Sequence, residues 1–353
     1  MVEPDGDALG RAVDLVVARG ARAQLVVLHR GRVVLDRAFG CAPDALFMVF
    51  SAGKPFLAVV VHRLAERGTL DLDAPVARYW PRFARHGKDG VTLRHVLQHR
   101  AGLPIVRGLL LDGLAARDWT ASVRSVESAR PLWKPGTVPA YHVLSQGFVL
   151  GEVIRRVTGR DLRDVLHEEV LDPLGLADTY LGLPDAVWDR HVPVQGGRLE
   201  ARVRARVFNR RKLRQAVIPA ATLSTTAGDL ARFYQALLPD APPAEPRLLR
   251  PATMREATRP TSDGETDRLL RLPIRWSTGF QLGGPGPDPL RPRPLGRTSS
   301  PRAFGHNGSN CCLGWADPDR QLAVAYLTDR LESGLDGSPH LCAVSEAVLA
   351  ACR

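Results

Sequence analysis

The chain has 353 residues, 44% hydrophobic and 24% charged, a globular composition with ample apolar material for a large core. Its formal charge is +11, but Lys54, Lys88, Lys134 and Lys212 are its lysines, so the excess is arginine, and only 6% of residues are aromatic. A nucleic-acid surface needs basic residues clustered with aromatics, so that class is excluded; the length leaves two domains, or one domain with an inserted lobe.

The first residues, Met1 to Gly20, are acidic and then amphipathic, without a basic start or an unbroken apolar core. No run of about 18 apolar residues follows. The expectation is a cytoplasmic chain with no membrane span. Cys41, Cys311, Cys312, Cys342 and Cys352 are odd in number and lack metal-type spacing, which predicts reduced thiols and no zinc site.

Residues 7–19 have helical periodicity. Ala23 to Leu28 and Arg32 to Arg37 are β-rich runs joined by His29-Arg30-Gly31, a hairpin pattern. Leu46 to Phe50 then lead into Ser51-Ala-Gly-Lys54-Pro55, and the amphipathic run Phe56 to Arg67 stops at Gly68. That predicts a helix from near Ser51 to a glycine cap, with Pro55 tolerated in its first turn. Residues three apart on a helix meet, so Lys54 can take the proton of Ser51 if its amine is neutral. The same pair is also what an N-capping serine and a solvated lysine would give.

Thr92 to His99 read as a short helix closed by Arg100-Ala-Gly-Leu-Pro104. Residues 119–130 read as helix, and residues 145–158 as a strongly periodic one capped by Gly159. Asp161 to Val170 form another, with Leu171 to Leu176 expected as a loop. Residues 198–217 crowd Arg198, Arg202, Arg204, Arg206, Arg210, Arg211, Lys212 and Arg214 around a single acid, Glu200. A helix from Gly228 to Leu238 follows. Residues 239–247 and 283–302 are rich in proline, glycine and arginine and read as loops. Ala323 to Thr328 is a strand pattern and Pro339 to Ala351 a terminal helix. The order predicts an α+β fold: one antiparallel sheet built from both chain ends, flanked by helices, with a mostly helical lobe inserted. A single domain over 1–353 results, its sheet lobe about 1–60 and 240–353 and its helical lobe about 61–239.

Two later stretches complete the chemistry. Tyr141 stands on a loop before a helix, where its phenolate, steadied by a neighbouring ammonium, can act as a base. Phe304-Gly-His306-Asn307-Gly308-Ser309 precedes a strand, and Gly308 allows close backbone approach to a ligand. With Ser51-x-x-Lys54, Leu97-Gln-His99-Arg-Ala-Gly102-Leu-Pro104, Trp133-x-Pro-Gly136, Tyr141-His142 and Leu223-Ser-Thr-Thr-Ala-Gly-Asp229, they follow one order. In that order the chain resembles the class C β-lactamase-like serine hydrolases over about residues 22–350.

The resemblance implies the serine β-lactamase/transpeptidase-like fold and acyl transfer through a seryl ester, a chemistry that needs no metal or organic cofactor. Ser51 would be the nucleophile, Lys54 its proton partner and Tyr141 the tyrosine of the family's Tyr-x-Asn element. The N–H groups of Ser51 and Ser309 would form the oxyanion hole. His306, Asn307 and Gly308 stand where relatives have Lys-Thr-Gly or His-x-Gly and would bind substrate, with His142 beside Tyr141. Val143 replaces the asparagine of Tyr-x-Asn, and His306 the lysine that would bind a β-lactam carboxylate. Both departures favour an esterase over a β-lactamase or D-amino-acid peptidase. Ser309-Asn310-Cys311-Cys312 stands where small residues are usual, so its two thiols and its amide are expected to narrow the acyl pocket or change its polarity. Acyl transfer from an ester or thioester donor to a small acceptor, or an inactive binding relative, are the other readings. The basic segment, expected near the cleft rim, reads either as a solvated loop from an arginine-rich composition or as a positive funnel for an anionic acyl donor or an acyl carrier protein.

Overall fold

The computed structural model describes residues 4–106, 117–239, 247–332 and 338–353. Helix α1, Gly6–Ala18, is capped by the Asp5 carboxylate, which accepts from the N–H groups of Asp7 and Ala8. Strands β1, Ala23–His29, and β2, Arg32–Phe39, form the expected hairpin. Its turn places Arg30 and Gly31 at φ 51° and 76°, the double left-handed geometry that suits strand twist. The other strands come from the far end of the chain: β3, Gln281–Leu282; β4, Phe304–Gly308; β5, Cys312–Asp317; and β6, Leu322–Thr328. They form one antiparallel sheet in the order β2-β1-β6-β5-β4-β3.

Strands β1 and β6 are buried on two faces, which explains their largely apolar sequences. Leu25 and Val27 of β1, with Val324 and Tyr326 of β6, face α1 and the terminal helix α8, Ser338–Ala351. Val26, Leu28, Ala323, Ala325 and Leu327 face the other way, into the larger core. There helix α7, Ala227–Gln235, lies on the sheet. The approach is close because β5 offers Gly314, where a Cβ would come within 2.4 Å of Tyr234. Each Leu or Val so enclosed contributes roughly 1.5–3 kcal/mol.

Helix α2, Lys54–Glu66, runs through the larger core and is buried nearly all round from Lys54 to His62. Pro55 lies in its first turn, and Gly68 follows it at φ 75°. The helix starts later than the sequence suggests. Phe50–Gly53 is a tight 3₁₀ turn, and Gly53 makes no side-chain cap, so Ser51 is not an N-cap. Helices α3, Leu93–Leu97, α4, Trp119–Ser128, and α5, Ser145–Thr158, lie where expected.

Two expectations are corrected. Leu171 to Leu176 is not simply a loop. A π-turn over His167–Leu171 carries the helix on to Asp172–Leu174, with Pro173 in a first turn, where its missing N–H costs little, and Gly175 closing at φ 59°. The basic segment is helical, as α6, Leu199–Phe208, and a turn of helix at Arg211–Arg214. Ala201 and Ala205, four apart, dock one face of α6, leaving the arginine-rich side outward. Residues 283–302 are irregular, as expected; of the expected loop 239–247, residues 240–246 lie outside the described residues. Among the described residues no helix is long and apolar enough to cross a membrane.

Candidate active site

The 3₁₀ turn holds Phe50 at φ 51° and delivers Ser51 to the floor of a cavity of about 670 Å³. The Lys54 Nζ lies 3.2 Å from the Ser51 Oγ, and the Tyr141 hydroxyl donates to the same Oγ at 2.5 Å. Lys54 also donates to the carbonyls of Val143, at 2.8 Å, and Ala220, at 3.5 Å. It has no carboxylate partner among the described residues, and burial lowers its pKa to about 7.

This arrangement fixes the proton positions. A neutral amine has two hydrogens and one lone pair. The two carbonyls can only accept, so they take both hydrogens, and the lone pair is left facing Ser51. Burial pushes the Tyr141 phenol above its ordinary range. The expected phenolate base is therefore disfavoured: burial penalises its charge, and the same burial keeps the Lys54 amine from standing beside it as a full ammonium. The tyrosine is a donor. Its ring stacks on Trp276, with centroids 5.4 Å apart at 7°, and meets His99 edge-on at 4.9 Å. The Trp276 indole N–H is in turn held by Asp267 at 3.0 Å.

Strand β4 supplies the opposite wall. Gly308 passes so close to the turn that a Cβ would lie 1.9 Å from the Val49 carbonyl oxygen. Strand pairing ends at Gly308, and Ser309 turns off at φ 46° onto the cavity wall with Ser51, Asn307 and His306. The amides of Ser51 and Ser309 thus sit on two elements pressed together, an arrangement suited to a developing oxyanion. The His306 Nδ1 donates to the Asn307 carbonyl at 2.7 Å, since a carbonyl can only accept. Burial, and secondarily the Lys54 charge, push its pKa down to about 3, so His306 offers no cation.

Of the residues expected from sequence, Ser51, Tyr141, His306, Asn307 and Ser309 line the cavity, and Lys54 and Gly308 pack directly behind it. His142 does not line it. Its Nε2 accepts the Leu103 N–H at 3.2 Å, and its backbone N–H donates to the His99 Nδ1 at 3.2 Å, so it braces the loop below Tyr141. Cys311 and Cys312 are also corrected. They are buried behind the turn, sulfurs 3.8 Å apart, with the Cys311 thiol on the Gly308 carbonyl, and neither lines the cavity. No residue of 198–217 lines it either: Arg211 pairs with Asp185, and Arg214 is buried on the Val192 carbonyl. Sequence reasoning missed the Val143 and Ala220 carbonyls, which leave no side-chain signal, and Trp276, which stands in no recognisable motif. It also missed the apolar wall from Leu270 to Leu295, whose later part, residues 283–295, reads as loop or linker from its prolines, glycines and arginines.

The profile of the Beta-lactamase family matches residues 13–345. The chain is 33% identical over 328 residues to the esterase/beta-lactamase LipL of Mycobacterium tuberculosis, covering 84% of this chain and 72% of LipL. It superposes with a TM-score of 0.83 on a penicillin-binding protein homologue from Caulobacter crescentus, at 29% identity and 99% of each chain. A family VIII carboxylesterase gives the same TM-score at 28% identity, over 99% of this chain and 98% of the other. The chain belongs to the Beta-lactamase family and is an enzyme of its esterase/β-lactamase-fold hydrolases.

Proposed function

We propose that the protein cleaves small-molecule carboxylic esters through a covalent acyl group on Ser51. The observation that carries this is the convergence of Lys54, at 3.2 Å, and Tyr141, at 2.5 Å, on one serine oxygen, with the lysine held near neutrality. In the first step the Ser51 hydroxyl gives its proton to the Lys54 Nζ while Oγ bonds to the ester carbonyl carbon. The carbonyl oxygen becomes an oxyanion held by the Ser51 and Ser309 amides. Collapse breaks the bond to the alkoxy oxygen, which leaves with a proton relayed from Lys54 through Tyr141. In the second step water adds to the acyl carbon, its proton passes back through the same pair, and the acid departs as Ser51 is restored.

Esters are favoured over β-lactams because Val143 supplies no side-chain amide and His306 is neutral. A small donor is favoured over an acyl carrier protein because the basic helix is not part of the cavity wall. The test is intact-mass analysis after a fluorophosphonate, together with turnover of p-nitrophenyl acetate, by the wild type and Ser51→Ala. The wild type should gain one adduct and hydrolyse the ester; the variant should do neither. More than a tenth of wild-type turnover in Ser51→Ala refutes the assignment.

A further inference from the structure

The cavity is far larger than the chemistry needs. An acetyl group and its leaving oxygen would occupy a small part of about 670 Å³, leaving the rest to water at about 30 Å³ each. Much of what that water would touch is apolar: Leu272, Ile274, Leu282 and Leu295, with Leu290 and Leu270 exposed toward the mouth. Wetting such a wall costs about 25 cal/mol for every Å². A complementary ligand therefore brings an aliphatic chain that runs from Ser51 along the segments 270–282 and 290–295.

The same wall also carries charge. Three arginines line it, and two are engaged. Arg275 pairs with Asp263 at 2.9 Å and donates to the Gly283 carbonyl; Arg293 donates to the Gly284 and Asp288 carbonyls, both at 2.8 Å. Arg291, set between Leu290 and Pro292, has no carboxylate within ion-pair distance among the described residues. Asp288, the acid on this wall, turns its carboxylate to the Leu290 N–H at 3.0 Å. A largely apolar cavity wall that carries a half-buried guanidinium without a carboxylate partner suits a chain with an anionic tip.

We propose that the cavity takes esters whose aliphatic chain ends in a carboxylate, with Arg291 as its counter-ion. This rests on the esterase reading of Ser51 but is tested separately from it. The probes are monomethyl esters of straight-chain dicarboxylic acids and, at matched lengths, neutral methyl alkanoates. Binding to Ser51→Ala is measured by calorimetry, and turnover by the wild type in parallel. Affinity should rise with chain length. The carboxylate-tipped series should bind about tenfold more tightly than the neutral one, as a charge-assisted contact at a partly open site gives. Adding Arg291→Gln should erase that difference and leave neutral esters unchanged, while Arg291→Lys should keep most of it. High salt should shrink it. Equal affinity for the two series, or no effect of Arg291→Gln, overturns the proposal. If this binding pattern holds while the wild type turns over no ester, the subsite stands and the esterase reading falls.

Discussion

A carboxylate placed beside Lys54 should switch the enzyme off near neutral pH and leave it on in alkali. The Lys54 Nζ donates to the Val143 carbonyl at 2.8 Å, and the Val143 side chain lines the cavity. In Val143→Asp the new carboxylate stands within reach of an amine that now has no acidic partner. An opposite charge at about 4–6 Å raises such a pKa by roughly 1–3 units. The wild-type lysine, at about 7, is half neutral at pH 7. A rise of about two units leaves about 1% neutral, so acylation at pH 7 falls about fifty-fold and recovers above pH 9. Val143→Asn is the control, with the same shape and no charge; its profile should keep an ascending limb near pH 7. The assay is the pre-steady-state release of p-nitrophenol between pH 5 and 10, which isolates acylation from deacylation. If the Asp and Asn profiles superimpose, Lys54 is not the group whose deprotonation gates the reaction.

Lys54→Met should stabilise the fold. The folded lysine releases its proton at about 7 and the unfolded one near 10.5, so between these values the unfolded chain binds more protons and wild-type stability rises with pH. The wild-type-minus-variant difference in urea unfolding free energy should climb by about 1.4 kcal/mol per pH unit across that window and be flat below it; a flat or falling difference refutes the burial argument. Gly308→Ala should cost about 2 kcal/mol or more, because its Cβ would sit 1.9 Å from the Val49 oxygen. Since either β4 or the Ser51 turn must move, kcat should drop by about a hundred-fold, and a variant within twofold of wild type would show that the Ser309 amide is not needed.

Much of the architecture was legible in the chain, because hydrophobic period and punctuation are local properties. The turn residues His29-Arg30-Gly31 between two β-rich runs marked the hairpin. The runs Ala23 to Leu28 and Ala323 to Thr328 marked strands, and these pair directly in the sheet. Ser51, Lys54 and Tyr141 were legible because a serine and lysine three apart, and a tyrosine before a capped helix, carry their chemistry in residue type. What tertiary structure decided is whatever depends on distant segments meeting. The proton on Lys54 is positioned by the carbonyls of Val143 and Ala220, 89 and 166 residues away, and backbone oxygens are alike in every sequence. Tyr141 is a donor rather than a phenolate because Trp276 and His99 pack against its ring and burial disfavours the charged form. His142 faces inward while its neighbour Tyr141 faces the cavity, since successive residues of an extended loop point opposite ways and only packing chooses between them. The thiols of Cys311 and Cys312 turned away from the cavity for the same kind of reason, behind a turn whose direction Ser309 and Asn310 set by left-handed backbone angles. The composition established a basic chain, but which arginines remain without a partner was decided by folding. The fold leaves Arg291, in a stretch that reads as linker, on the cavity wall, and turns the conspicuous cluster around α6 outward.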